Sequence, residues 1–295
     1  MTSVTPAHST RGAIANVTPA HSTRGAIANV YSVNGEVAGN IDLPSQFKEE
    51  FRPDLIKRAV LAQQSHNIQP TSTMPGAGNQ YSAYLSKRRR EYRGTYGAGR
   101  SRTPRKVMSR KGTRFDFKGA KAPQTVGGRK AHPSKLEKLR SEKINDKERK
   151  KAIRSALTAT TIKEIVASRG HRVDQVKELP IVLESKIEDA AKTKDILGIL
   201  LKLGLAPELT RTRDRKIRAG RGKMRGRKYR TKVGPLFVVS KNCKLLNSAR
   251  NITGADAVDV KKLNAELLAP GTKPGRLTIW SETALKELGE KKLFM

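Results

Sequence analysis

The chain has 295 residues, with 61 Lys+Arg against 26 Asp+Glu and a formal net charge of +35 at pH 7. Such a charge repels itself in a compact monomer and implies a polyanionic partner, nucleic acid ahead of an anionic membrane surface. No membrane-spanning run or signal peptide is visible, since the longest apolar stretch, Ile196 to Leu205, is interrupted by Lys202; the single cysteine, Cys243, supplies neither a disulfide nor a metal-ligand spacing.

Val4 to Asn16 reads VTPAHSTRGAIAN, and Val17 to Asn29 repeats it unchanged. Two short polar copies do not build a solenoid, so residues 1–27 read as a duplicated, disordered tail, or else as an extra arm contacting the partner. Order begins near Ala28. NVYSV, the pair Asn34-Gly35 and EVAGNIDL predict a β-hairpin with a type I′ turn. Pro44-Ser45 ends it and can open a helix. Pro53-Asp54 opens another, with Leu55, Ile56, Ala59 and Val60 on one face.

From Gln69 to about Pro133 no helical or strand period survives, so residues 69–133 are expected as one long irregular internal loop. Between Lys87 and Lys130 stand 16 Lys/Arg against two acids, Glu91 and Asp116, a net of +14. Periodicity then returns. Asn145 or Asp146 can cap a helix carrying Ala152, Ile153, Ala156 and Leu157, and Thr161 can start the next. Pro180 to Leu183 is a short buried-strand candidate. Ser185 and Glu188 have capping-box spacing. Thr193 precedes an apolar helix that Gly204 stops.

A second basic tract, Arg211 to Lys232, holds 12 Lys/Arg against the one acid Asp214, a net of +11. The predicted insertion spans 208–233. After it come a strand over Pro235–Ser240, a helix near Asn242–Arg250, a strand over Ala257–Val260, a helix near Lys261–Leu268, a strand over Arg276–Trp280, and a last helix capped by Ser281. Short buried strands alternating with helices predict an α/β body, a doubly wound, mainly parallel, Rossmann-like sheet built from residues 28–68 and 134–295. The two tracts carry +25 of the +35, so a body of near-ordinary charge bears two basic extensions.

Catalytic and cofactor signals are weak. Gly220, Gly222 and Gly226 miss the dinucleotide spacing by one residue and lie inside the basic tract. No phosphate loop of the G-x-x-x-x-G-K-[ST] type exists, the histidines lack metal-ligand spacing, and no serine sits in a G-x-S-x-G turn. The expectation is no enzyme, no cofactor and no metal. DNA binding is the weaker nucleic-acid reading, because neither a zinc module nor a basic zipper is present.

The long tract interleaves charge with Tyr81, Tyr84, Tyr92, Tyr96, Phe115 and Phe117. Guanidinium groups pair phosphates bidentately and stack on bases, and aromatic rings offer platforms to splayed-out bases. The RNA-binding candidates of this tract are Arg88, Arg89, Arg90, Tyr92, Arg93, Tyr96, Arg100, Arg102, Arg105, Lys106, Arg110, Lys111, Arg114, Lys118 and Lys121. His132, beside Pro133, reads as a phosphate or base contact. In the second tract they are Arg211, Arg213, Arg215, Lys216, Arg218, Arg221, Lys223, Arg225, Arg227, Lys228, Arg230 and Lys232. Free in solution the long tract has no core to offset roughly 1–2 kcal/mol of backbone entropy per residue, so it should order only on RNA.

Three blocks carry a family resemblance: FRPDLIKRAVLA (Phe51–Ala62), GGRKAHPSKLEKLRSEKINDKERKKAIRSALTAT (Gly127–Thr160) and RAGRGKMRGRKYRTKVGPLFVV (Arg218–Val239). In order and spacing they resemble the L-four family of large-subunit ribosomal proteins, in its archaeal and eukaryotic form; the lack of a long C-terminal extension looks archaeal. The resemblance runs from about Ala28 to Leu288. It implies a cytoplasmic, structural constituent of the large ribosomal subunit that binds large-subunit rRNA, supports its assembly, and sends its loop to the nascent-peptide exit tunnel. By position in the motif, Gly94, Tyr96, Gly97, Gly99, Arg100 and Arg102 would form the tunnel-loop tip, near a second protein of the L-twenty-two family and the nascent peptide. Arg129, Lys130 and His132 match the return limb. The duplicated tail has no counterpart, and Asn79–Tyr92 matches weakly. The rivals are an RNA-modifying enzyme on a Rossmann-like body and a free mRNA-binding protein.

Overall fold

A computed structural model describes residues 27–92 and 94–295. The duplicated stretch up to Ala26 and the candidate Arg93 lie outside the described residues. The chain divides into two units: Met1–Lys57 with Asp146–Met295, the body, and Arg58–Asn145, the excursion.

In chain order the elements begin with β1 (Ile27–Tyr31), β2 (Val37–Asp42) and α1 (Pro53–His66), whose opening proline needs no amide partner at the first helical position. β3 (Arg105–Lys111) and β4 (Arg114–Gly119) follow within the excursion. The body resumes with α2 (Asp146–Thr161), α3 (Lys163–Ser168), β5 (Ile181–Leu183), α4 (Thr193–Lys202) and α5 (Ala206–Arg213). A short ribbon, β6 (Lys216–Ile217) and β7 (Tyr229–Arg230), leads to β8 (Leu236–Val239). Then come α6 (Lys244–Arg250), β9 (Asp256–Asp259), α7 (Ala265–Leu268), β10 (Thr278–Ser281) and α8 (Glu282–Glu290).

The body's sheet has six strands in the order β2-β1-β5-β10-β8-β9. Every pairing is parallel except β1 with β2, an antiparallel edge hairpin. Ile181 and Leu183 of β5, Phe237 and Val239 of β8 and Ile279 of β10 share one buried cluster with α4 and α6. Successive strand residues alternate faces, so Val182, Val238 and Trp280 point the other way. There Trp280 meets Phe47 edge-on at 5.5 Å, and α8 packs against β10. With both faces covered, these strands read as unbroken apolar runs. The expected mainly parallel α/β sheet is thus the observed one.

Several local expectations are corrected. Asn34-Gly35 is not a type I′ turn, which needs positive φ at both residues; only Gly35 takes it, at +85°, and the turn bond runs from Gly35 N to Ser32 O at 3.0 Å. Pro44-Ser45 opens a single 3-10 turn, Ser45–Lys48. Thr161 ends α2 rather than starting α3, with its hydroxyl donating back to Thr158 O at 2.8 Å. The Ser185/Glu188 capping box does not form, because Glu188 is drawn into the body instead. Finally, the stretch expected to lack strand period holds the β3–β4 hairpin. Phe115 and Phe117 alternate with exposed Arg114, Asp116 and Lys118 there, a period-2 signal short enough to vanish among the surrounding charges.

Candidate RNA interface

Within the excursion the outgoing and returning limbs meet at a neck. Ser65 Oγ accepts from Glu142 N at 2.8 Å. Arg140 donates to Thr71 O at 2.8 Å and Thr71 Oγ1 at 3.1 Å. Farther out the limbs touch through glycine main chain. A Cβ on Gly78 would lie 2.5 Å from the backbone of Gly128 and Arg129, and one on Gly128 would lie 2.2 Å from Ala122 O. Only glycine permits that approach.

Beyond the neck there is almost no core. Among the described residues from 69 to 145, only Ala83, Thr95 and Ala120 are buried. What fixes the local shape is cations laid on rings. Arg89 and Arg102 lie over Tyr96 at 5.6 and 5.3 Å from its centroid. Arg100 lies over Phe117 at 5.4 Å, Lys106 over Tyr81 at 4.1 Å, and Arg110 over Phe115 at 5.7 Å and Tyr92 at 5.9 Å. Each such contact contributes about 0.5–1 kcal/mol at an exposed site. The aromatics therefore orient arginines, in addition to the base-stacking role their composition suggests. Tyr84, 64% exposed, carries no such cation among the described residues.

Most candidate cations face outward. Arg88, Arg89, Arg90, Arg100, Arg102, Arg110, Lys111, Arg114, Lys118, Arg129, Lys130 and His132 are exposed; Tyr96, Arg105, Lys106 and Lys121 are half-buried. Arg105 is engaged locally, donating to Ser101 O at 2.5 Å and Ser101 Oγ at 2.6 Å. Gly97 and Gly99, in the stretch matched to the loop tip, both take positive φ, +82° and +64°.

The second tract forms the ribbon β6–β7, with Lys216 opposite Arg230 and Ile217 opposite Tyr229. Arg218 N donates to Lys228 O at 2.8 Å, and its Nε to Arg227 O at 3.1 Å. Arg213, Arg215, Lys216, Arg221, Lys223, Arg225, Arg227, Lys228 and Arg230 are exposed; Arg211, Arg218 and Lys232 are half-buried, Lys232 pairing Asp214 at 2.7 Å. Among the described residues no group of acids, histidines and cysteine could hold a metal, and no helix is long and apolar enough to cross a membrane.

The profile described as the ribosomal protein L4/L1 family matches residues 41–291, nearly the whole described chain. The chain belongs to that family. It is 51% identical to the large ribosomal subunit protein uL4 of Nanoarchaeum equitans, over 90% of this chain and 98% of the relative. It is 46% identical to the uL4 of Methanosphaera stadtmanae (88% and 95%) and 42% identical to that of Halobacterium salinarum (88% and 97%). Proteins of the L4/L1 family are structural, and the chain is not an enzyme.

The L4-type body also anchors the ribbon, through residues that sequence reasoning missed. Glu208 of α5 is fully buried and accepts from His171 Nδ1 at 2.7 Å, Arg172 N at 3.0 Å, and Arg211 Nη2 and Nε at 2.6 and 2.8 Å. Arg211 also donates to Val233 O at 2.6 Å, joining the ribbon's entry to its exit. Its guanidinium is thus held by the body, unlike those of the outward-facing candidates. Burial pushes the Glu208 carboxyl up, but the bonds from Arg211 and His171 outweigh it and hold the pKa at about 2. Burial lowers His171 more than Glu208 raises it, with Arg211 and Arg169 adding to the lowering. Arg276, almost wholly buried, closes the same region: it donates to Gly234 O at 2.9 Å, Leu267 O at 3.0 Å and Asp256 Oδ2 at 2.5 Å. Glu208 and Arg211 stand at helical i,i+3 spacing, but nothing in the local sequence marks the pairings with His171, Gly234 and Asp256, whose partners lie 20 to 42 residues apart. The neck residues Gly78 and Arg140 were likewise invisible before the limbs were paired.

Proposed function

We propose that the excursion and the β6–β7 ribbon are the two rRNA-binding parts of this ribosomal protein, and that the excursion reaches the peptide exit tunnel. The chain's place is the large ribosomal subunit, in the cytoplasm, with rRNA and other ribosomal proteins as partners. In this reading residues 69–133 thread folded rRNA, residues 208–233 clamp a second segment, and both support assembly. The stretch Gly94–Arg102 lines the tunnel near its constriction, beside a protein of the L-twenty-two family and in reach of the nascent peptide. One observation carries the proposal: a segment with a net charge of +14 has three buried residues among those described, so its cations have no role in a core of their own. Arg pairing of phosphates, with glycine-permitted close approach, is the chemistry such a segment offers. Its aromatic splints reduce the disorder that must be lost on binding.

The full chain, tagged, is sedimented from a cell lysate before and after a high-salt wash, and photoreactive groups at Tyr96 and Arg102 are then activated in translating particles. Salt-resistant co-migration with the large subunit, and labelling of both rRNA and nascent peptide, support the reading. Ready release by salt argues for a free RNA-binding protein. Labelling of rRNA without nascent peptide keeps the rRNA role and removes the tunnel assignment.

A further inference from the structure

We infer that the cavity at the neck of the excursion takes one extruded, unpaired nucleotide of the large-subunit rRNA; this rests on the RNA-binding reading above and names where a single base and its phosphate sit. The cavity, about 650 Å³, opens between the outgoing segment 72–79 and the returning segment 127–137. Its size falls within the roughly 300–1,000 Å³ of small-molecule sites. It exists because Gly78 lets the two limbs close to backbone contact.

Its lining combines two chemistries. Arg129, Lys130 and Lys135, none of which makes an ion pair among the described residues, stand against one carboxylate, Glu137. Gly76 and Gly78, at φ +71° and +83°, turn the outgoing segment tightly, and its Ala77 and Asn79 amides are spent within the turn, on Met74 O at 3.0 Å and Gly76 O at 2.9 Å. Met74, Pro75 and Pro133 add apolar surface, Met74 being 67% exposed. The cations suit a phosphate, and the apolar groups suit the face of a base. A base paired within a helix cannot present that face, so the occupant is unpaired. Because both limbs line the cavity, its nucleotide also ties the neck shut.

The test uses the full chain assembled into large subunits. Position 74 carries a benzophenone (Met74→p-benzoylphenylalanine), and a second preparation carries it at Tyr84, outside the cavity. Crosslinked nucleotides are mapped on the rRNA, and their base reactivity toward dimethyl sulfate is measured with and without Arg129→Gln and Lys130→Gln. The expected result is one dominant unpaired nucleotide from position 74, protected in the unsubstituted particle. Its reactivity should rise at least about tenfold in the double variant, the effect of losing even one of the two charge-assisted contacts. Crosslinks scattered over paired nucleotides, crosslinks to a neighbouring protein, or reactivity unchanged in the double variant overturn the inference. If position 84 still labels rRNA in those cases, the RNA-binding reading stands without the cavity. If neither position labels rRNA, both fall.

Discussion

Glu208→Gln removes a negative charge from the anchor of the ribbon while keeping size and most hydrogen-bonding capacity. The carboxyl is held at about 2 against an ordinary 4.5, a difference worth about 3 kcal/mol at neutral pH. The loss falls where positive charge is already crowded: burial, then Arg276 and Arg211, bring Arg169 down to about 10. The variant should therefore be less stable by about 3 kcal/mol at pH 7, in line with breaking a buried ion pair. For a body of this size that lowers Tm by roughly 6–12 °C. Trp280, the single tryptophan, is buried against Phe47 and reports unfolding of the body by fluorescence in urea. The pH dependence is the sharper part. A carboxyl depressed in the fold stabilises it above its unfolded value of 4.5, and that stability drains away as pH falls toward 2. The gap between the two proteins should narrow to about half by pH 3. His171, held neutral by burial, adds a loss of the same sign below 6.5, as the unfolded chain takes up a proton that the fold resists. A gap under about 1 kcal/mol at pH 7, or one equally wide at pH 3, would refute the assignment of Glu208 as an ionised anchor.

Three further outcomes are expected. Gly78→Ala forces a Cβ against the Gly128–Arg129 backbone at an unfavourable φ, strain of about 1–3 kcal/mol, and should speed proteolysis at the neck of the free chain while leaving urea unfolding of the body unchanged. Replacing Arg221, Arg225 and Arg230 of the ribbon with Gln should reduce the slope of log affinity for large-subunit rRNA against log salt by about 2, measured by filter binding, since each lost phosphate contact removes about 0.7. Leu200→Ala, in the cluster under β5 and β8, should cost about 2–5 kcal/mol in the urea assay without altering that salt slope.

How much was legible depended on the range of the forces involved. α2 and α4 announced themselves because Ala152, Ile153, Ala156 and Leu157, and Ile196, Ile199 and Leu200, repeat at helical spacing and are buried in the fold. The strands around Phe237 and Ile279 were visible as unbroken apolar runs because the sheet is covered on both faces. The basic tracts were visible as charge. Yet charge says where cations lie, not which are free: Arg211 and Arg213 look alike in sequence, and only the fold binds the first to Glu208 and leaves the second exposed. Helix α5 went unread because its eight residues carry few apolar side chains, and six of them, Glu208 to Arg213, fell inside the insertion predicted over 208–233; the structure gives those six to the body. The Glu188 carboxylate was misassigned to a local cap because Ser185 lies three residues before it, whereas its real partners are 52 to 95 residues away.

That same glutamate bears on what an α/β sheet of this kind can do. In open parallel sheets, ligands bind outside the carboxyl ends of the strands, where amides and helix N-termini receive phosphate. In this body Glu188 lies just beyond the end of β5 and fills that ground with a carboxylate. It accepts from Ser240 N at 3.0 Å and Ser240 Oγ at 2.8 Å, past β8, and from Ser281 Oγ and Thr283 Oγ1 at 2.6 Å each, at the end of β10. Burial works against its ionisation, but the bonds from Ser281, Thr283 and Ser240 together outweigh it and keep the carboxyl below its usual range. A fixed negative charge at the strand ends repels a nucleotide phosphate and ties three strands together. The strand ends of this parallel sheet are thus occupied by the body's own carboxylate, and the exposed cations lie instead on the excursion and the ribbon.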